Sequence, residues 1–513
     1  MKKSAGLVLC LVLCASPSFA QTEDGARDPL STPEIPGTAA PSGSSGAPGA
    51  SDEQRLRIIR YGTDTEIANL IKTLRNEQAD AERMGGGKTA LSLDGELLTV
   101  AEKTKNRAIL AGVFAYFGDR EQGGLEDRAL KAIENRDYEA GETVNAAVDY
   151  LGKIRAPGVK DVLVDILNGE EGRFLSGAIR ALGRTAEKNG PAETVEFLVD
   201  YYANREPGDE NRRLIVAALG DAGAKEGTAF LVSIAENEDE RAPLRVTALE
   251  SLAKIADPAG LSAVIGAVSS RDPNVRSAAV GALGPFSGSG AEDAIIEAFR
   301  DSYYRTRIAA AKAAGERKME GAVPFLRFRA ENDEVPSVRD ESVKALGAIA
   351  GGGSLEILEA LFRERKNGDR IRINAGEMLL ARSPDQFVPA VIVEMDEAKT
   401  KNQTVLYNGF LRILGGARSS KLEDLAGRFF AAGGVVEKSY ALDICANNEF
   451  RGLADEIRRL SDPKNGSLSR KSISLLEKWG LPVKAEEPAA RPPDTSSAET
   501  PGEGAAPEAV PAE

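Results

Sequence analysis

No histidine occurs anywhere in the 513 residues of this chain. That single absence removes Ser–His–Asp hydrolysis, Cys–His nucleophiles and imidazole metal sites together. Cysteine is almost as scarce: Cys10 and Cys14 lie in the first apolar stretch, and Cys445 is the third. If the first stretch is cleaved, no intramolecular disulfide and no cysteine-rich zinc or iron–sulfur site can form. Cys445, between Ile444 and Ala446 on an apolar helix face, reads as a buried, inert thiol. No stretch after the first approaches 18 apolar residues, so none has the length of a membrane span. Alternation of β-branched residues is nearly missing as well, which points to an all-α chain. A lysine base or a carboxylate pair stays formally open. With 79 acids on a helical surface, however, chance carboxylate pairs carry no information. No catalytic, cofactor-binding or metal-binding residue is assigned on this basis, and no cofactor is expected.

What the chain does have is a repeat. Apolar stretches end in Tyr150-Leu151-Gly152, Ala181-Leu182-Gly183, Ala218-Leu219-Gly220, Ser251-Leu252-Ala253, Ala282-Leu283-Gly284, Ala313-Ala314-Gly315 and Ala345-Leu346-Gly347. The closing residues are 31, 37, 33, 31, 31 and 32 positions apart. Tyr116-Phe117-Gly118 precedes the series, and Leu380-Ala381, Leu414-Gly415, Cys445-Ala446 and Trp479-Gly480 continue it. A fixed period of this size is the signature of a solenoid. In Asp272–Gly284, Val275, Ala278, Ala279 and Leu283 share one helical face, Pro273 suits a first turn, and Gly284 is placed for a left-handed helix end. Gly260–Ser270 reads as a shorter preceding helix with Leu261, Val264, Ile265 and Val268 on one face. The unit is therefore helix–turn–helix, with small residues such as Ala309, Ala310 and Ala313 letting second helices approach closely.

An arginine recurs eight residues before the closing position, at Arg212, Arg245, Arg276, Arg307 and Arg339. Acids precede it, at Asp239, Asp272, Asp301 and Glu334. Acids that travel with the arginines argue for a ladder tying adjacent repeats together rather than a basic stripe for an anion.

The string D-P-x-V-R-x-x-A-x-x-A-L-G at Asp272–Gly284, with partial copies at Arg245–Ala253, Arg307–Gly315 and Val338–Gly347, resembles HEAT repeats. The short variant of phycocyanobilin-lyase-like proteins is the most similar. The resemblance covers roughly residues 53–480 and implies an armadillo-type α-solenoid of about 12 HEAT-like repeats forming a curved superhelix. At about 10 Å per repeat the rod would extend on the order of 120 Å, its concave face lined by second helices. Most such proteins are scaffolds and adaptors, and a few are enzymes. The terminal repeats, near residues 54–78 and 420–480, depart from the pattern as caps do. Gly62 to Gly118 spans 56 positions, so residues 79–104 read as an inserted loop region, with a small turn at Leu91–Glu96. Within it, Gly85-Gly86-Gly87-Lys88-Thr89 is like the end of a phosphate loop. The glycine required five residues before Gly87 is Glu82, and the preceding segment is helical in pattern, so nucleotide binding is not supported.

The ends carry an address. Met1-Lys2-Lys3, the apolar Leu7–Cys14 and Ser18-Phe19-Ala20 form a signal peptide over residues 1–20. A lipid anchor at Cys14 is the rival reading, and Leu13 fits it badly because a small residue is wanted there. Residues 21–52 are a Pro/Gly/Ser-rich linker and 485–513 an acidic Pro/Ala-rich tail, both of disordered composition. The expected location is the periplasm of a double-membrane bacterium. Lipid anchoring in the envelope, or secretion, is the alternative.

Charge bears on the partner. The chain carries 65 basic and 79 acidic residues, net −14. The position three before each closing residue has mixed signs, including Asp149, Arg180, Glu250, Lys312, Lys344, Arg412 and Asp443, with a locally basic stretch at Lys312 and Lys344. Nucleic acid normally needs a basic footprint, so protein partners are expected instead. The sequence thus reads as an exported non-catalytic scaffold or adaptor. A small-ligand or chromophore carrier of the lyase-like type is the alternative, with Tyr201-Tyr202 and Tyr303-Tyr304 as pocket aromatics. A structural cell-envelope spacer is the third reading.

Overall fold

A computed structural model describes residues 52–83, 93–169, 172–349 and 351–483. The chain divides into two units at Gln54/Arg55, and the account that follows concerns the second. Among the described residues there are α-helices and short 3-10 turns, and no strands.

Among the described residues the helices come in thirteen pairs of a first and a second helix, the first being the shorter except in the pairs that begin at Pro191 and Pro384. They are α1 (Asp52–Tyr61) with α2 (Asp64–Arg83), α3 (Asp94–Lys103) with α4 (Arg107–Asp119), α5 (Glu126–Glu134) with α6 (Gly141–Lys153), and α7 (Lys160–Asn168) with α8 (Gly172–Asn189). Next are α9 (Pro191–Arg205) with α10 (Asp209–Ala222), α11 (Thr228–Glu236) with α12 (Ala242–Ile255), α13 (Leu261–Ala267) with α14 (Pro273–Ala282), and α15 (Ser289–Ala298) with α16 (Tyr304–Glu316). The last five are α17 (Val323–Asn332) with α18 (Pro336–Ile349), α19 (Ser354–Arg363) with α20 (Asp369–Arg382), α21 (Pro384–Thr400) with α22 (Thr404–Gly416), α23 (Glu423–Ala432) with α24 (Val435–Asn448), and α25 (Ala454–Leu460) with α26 (Ser467–Lys478). Each second helix packs on the second helix of the next pair, from α2 on α4 through to α24 on α26. One hydrophobic core runs through the stack from Ile59 to Trp479. This is an all-α solenoid.

Several closing glycines serve packing rather than chain reversal, whereas Gly480, at φ +69°, does reverse the chain. Gly284 is not among the positive-φ residues, and α14 ends two residues before it, so the expected left-handed cap is absent. A Cβ on Gly183 would stand 2.7 Å from the Cα of Ala218, and one on Gly220 2.7 Å from the Cα of Ser251. Gly152 meets Ala181 at 3.1 Å and Gly315 meets Ala345 at 3.0 Å in the same way. In each case the contact is two residues before the next closing position. Only parallel second helices in constant register produce that pattern. From α18 onward side chains intervene: Gly347 faces Met378, Gly376 faces Ile413, and Gly415 faces Tyr440.

The described parts of the inserted loop region expected at 79–104 are helical, apart from Leu93 and Thr104. α2 continues through Arg83, because the Asn76–Arg83 stretch contains neither glycine nor proline and is rich in helix formers. Leu93, Leu97 and Ala101, all 0% exposed, recur every four residues and bury one face of α3. Asp94 to Glu96 are therefore the first turn of a helix, not a free-standing turn. Gly62 lies between α1 and α2, inside a pair rather than at its close, which is why the period failed there. The Gly85–Thr89 motif, Cys14, residues 21–51 and residues 485–513 lie outside the described residues, while Asp52 opens α1. Cys445 is fully buried, and burial pushes its thiol up to about 12.

Candidate functional site

Two sets of polar side chains organise the second-helix row. The first is the arginine ladder at the helix starts. Arg276 in α14 reaches forward to Asp301 with two bonds of 2.8 and 3.0 Å and back to the Ser270 carbonyl at 3.1 Å. Arg307 in α16 grips Asp333 with two bonds of 2.8 Å and donates to the Asp301 carbonyl at 2.9 Å. Arg212 pairs with Glu240 and donates to the Tyr202 hydroxyl at 2.7 Å, and Arg245 donates to the Ala235 carbonyl at 3.0 Å. Arg372 joins the set, bound to Glu394 and to the Phe362 carbonyl at 3.0 Å; it stands one place out of the sequence register and was not anticipated. Arg339 differs, its Nε buried without a hydrogen-bond partner.

The acids are not quite those the spacing suggested. Glu240 takes the place of Asp239, and Asp333 that of Glu334, which stays exposed at 3.9 Å from Arg307. Asp272 instead caps α14, accepting from the Asn274 and Val275 amides at 2.7 and 3.3 Å. Asp301 holds the arginine of the preceding repeat. For Asp301 and Asp333, burial alone pushes the carboxyl up, but hydrogen bonds from Arg276 and Arg307 respectively outweigh it and hold both below the usual range. These side chains bind repeat to repeat.

The second set lies where the second helices end. An open trough of about 660 Å³ runs along the ends of α2, α4, α6, α8, α10 and α12. Charges of both signs line it. Asp119 accepts from Arg75 at 2.8 Å and from Lys153 at 2.9 Å; Lys153 also pairs with Asp149 at 2.7 Å, and Arg184 approaches Asp149 at 3.5 Å. Lys254 pairs with Asp221 at 2.7 Å. The last two turns of α2, which carry Gln78 and Glu82, form the end wall. Burial pushes the Asp119 carboxyl up, yet the Lys153 and Arg75 hydrogen bonds prevail and hold it below its ordinary value. Asp119 therefore stays ionised near neutrality and holds its two cations in place.

The residue three before each closing position, with its mixed signs, is not the main charge of this edge. In five successive second helices the residue one after the closing one lines the trough: Asp119, Lys153, Arg184, Asp221 and Lys254. Reading both positions as an i, i+4 pair on one ridge would have found it. Lys312 and Lys344, read as locally basic, sit beside Glu316 and Glu341 at 3.8 and 3.4 Å.

The tyrosine pairs do not form one pocket. Tyr202, near the end of first helix α9, packs edge-on against Phe230 at 5.0 Å, and Tyr201 is buried. Tyr303 and Tyr304 lie three pairs further on, at the start of second helix α16 rather than the end of a first helix. Among the described residues no cluster of three or more Cys, Asp or Glu could hold a metal ion. Among them, too, no helix is long and apolar enough to cross a membrane.

An all-α solenoid of stacked helix pairs, tied by an arginine ladder, is the architecture of a HEAT-repeat protein. The chain belongs to the Spirochaete HEAT repeat protein family, whose profile matches residues 59–475. No curated protein matches it. Among solved structures it is similar to Kap121p bound to Pho4p, with 12% identity and a TM-score of 0.41 over 82% of this chain and 52% of that one. It is also similar to importin beta, with 14% identity and a TM-score of 0.38 over 83% of this chain and 72% of that one. The CpcE–CpcF complex of phycocyanin lyase from Nostoc sp. PCC7120 matches with 16% identity and a TM-score of 0.29, over 55% of this chain and 94% of that one. The chain spans about half the length of Kap121p.

Proposed function

We propose that this protein is an exported, non-catalytic scaffold or adaptor that holds a protein partner along its second-helix row. The observation that carries this reading is the trough, where six successive second helices present both cations and carboxylates. A mixed-sign surface selects a partner by charge matching and steers its approach more than it adds raw affinity. Membership in a HEAT-repeat family supports the reading, because stacked repeats offer long continuous surfaces for binding. The Met1–Ala20 pattern supports export to the periplasm, with the mature chain starting at Gln21.

The test is in-cell crosslinking of a tagged chain, with mass spectrometry of the captured peptides. Crosslinks from one partner clustering at the ends of α2 to α12 are the expected result. A clean monomer with no enriched partner would overturn the scaffold. Sequencing the mature N-terminus after cell fractionation tests export: an intact Met1 in the cytoplasmic fraction would refute it.

A further inference from the structure

The edge where second helices end changes character at α22. Elsewhere the residue after the closing one usually carries charge, as at Asp119, Lys153, Arg184, Asp221, Lys254 and Glu316. In α22 that position is Gly416, and a Cβ placed there would meet nothing within 4 Å. The missing side chain leaves a cleft of about 390 Å³ between the ends of α20 and α22. Its floor is apolar: Leu380 and Ile413 are each 5% exposed and Ala417 8%, and Pro384 also lines it. The side chains Met378 and Tyr440, facing Gly347 and Gly415, stand where backbone meets backbone in the earlier pairs.

The rim of this cleft is basic. Arg412 holds Glu377 through two bonds of 3.2 and 2.9 Å. Asp385, the other nearby acid, accepts from the Ser419 hydroxyl at 2.6 Å. That leaves the guanidiniums of Arg418, which lines the cleft, and of Arg382, next to lining residue Ala381, exposed and with no partner among the described residues. Two uncommitted cations thus stand beside an apolar floor.

We propose that this cleft docks an acidic segment of a protein partner. An apolar side chain of that segment sits over Gly416, and its carboxylates meet Arg418 and Arg382. Charge complementarity selects the occupant: a basic segment would face the two free guanidiniums, and like charges brought together at an interface are penalised. Arginine beside an apolar floor is the composition enriched where interface energy concentrates. The inference rests on the scaffold reading and names the chemistry of the partner.

The experiment uses the full chain and two blocked, fluorescein-labelled peptides of about ten residues, one alternating Asp and Leu, the other Lys and Leu. Anisotropy titrations are run on the natural protein and on Gly416→Leu, Arg418→Glu and Arg382→Glu. The expected result is saturable binding of the Asp–Leu peptide, weakened about tenfold or more by Gly416→Leu and by Arg418→Glu. It should weaken further as salt rises from about 0.05 to 0.3 M, while the Lys–Leu peptide binds no better than background. Unchanged thermal melting of the variants shows that the cleft, not the fold, was altered. Equal binding of both peptides, or Asp–Leu binding that ignores all three substitutions, would overturn the proposal. Crosslinks confined to α2–α12 with no Asp–Leu binding would sink the cleft and leave the scaffold standing. Asp–Leu binding with no partner captured in cells would do the reverse.

Discussion

Asp333 shows what the arginine ladder contributes at a single residue. Its side chain is 0% exposed, and Arg307 and Arg329 converge on it at 2.8 and 3.2 Å. A buried carboxylate without its partner keeps its desolvation cost and loses its compensation. Arg307→Ala is therefore expected to destabilise by about 3–5 kcal/mol, read as a lower urea midpoint. The double replacement Arg307→Met with Asp333→Leu should recover most of that loss; a double variant as unstable as the single one would show that the stranded charge is not the cause. A second cluster titrates. Burial pushes the Glu437 carboxyl up, but hydrogen bonds from Tyr407 and Lys399 overcome it and bring it to about 2, against an ordinary 4.5. Since the folded value is the lower one, the contribution is whole above about pH 4.5 and fades as pH falls toward 2. Glu437→Gln should flatten this part of the stability profile between about pH 5 and 3, and an unchanged slope in the variant would refute the assignment.

At the scale of the helix, two glycines make opposite predictions. Gly183 lies against the backbone of Ala218, so Gly183→Leu forces α8 and α10 apart and should cost about 1–3 kcal/mol or more. Gly416→Leu enters open space and should leave the urea midpoint within about 0.5 kcal/mol of the natural chain. Equal losses in the two variants would mean that the close approach of second helices is not what fixes the stack. The same elements mark where sequence reasoning stops. The period, the closing residues and the arginine position were legible, because each expresses local spacing along one helix. Glu240 and Asp333 were missed by one residue in favour of Asp239 and Glu334, since turn geometry between helices decides which acid points inward. α3 was hidden because an intervening Gly-rich stretch broke the period on which its recognition relied. The trough was hidden because the charge pattern was read at the residue three before each closing position alone, while the residue one after it, on the same ridge, faces the neighbouring helices.

At the scale of the molecule, each pair contacts mainly its neighbours, so stability is distributed along the stack and ends open more readily than the middle. Hydrogen exchange followed by mass spectrometry should find the slowest amides between α6 and α18, where glycine meets backbone, and faster exchange from α20 to α26, where Met378, Ile413 and Tyr440 intervene. Uniform protection from end to end would contradict this division. The constant register of the second helices has an electrical consequence. Peptide dipoles within a helix sum to about half an elementary charge at each end, negative where the chain leaves it. Parallel helices side by side place all those negative ends along one border and all the positive ends along the other. The border at the helix ends is where Lys153, Arg184 and Lys254 stand, close enough to offset it. A polypeptide laid across the row, rather than along it, would therefore lie in a transverse field and acquire a preferred direction even without a single specific contact.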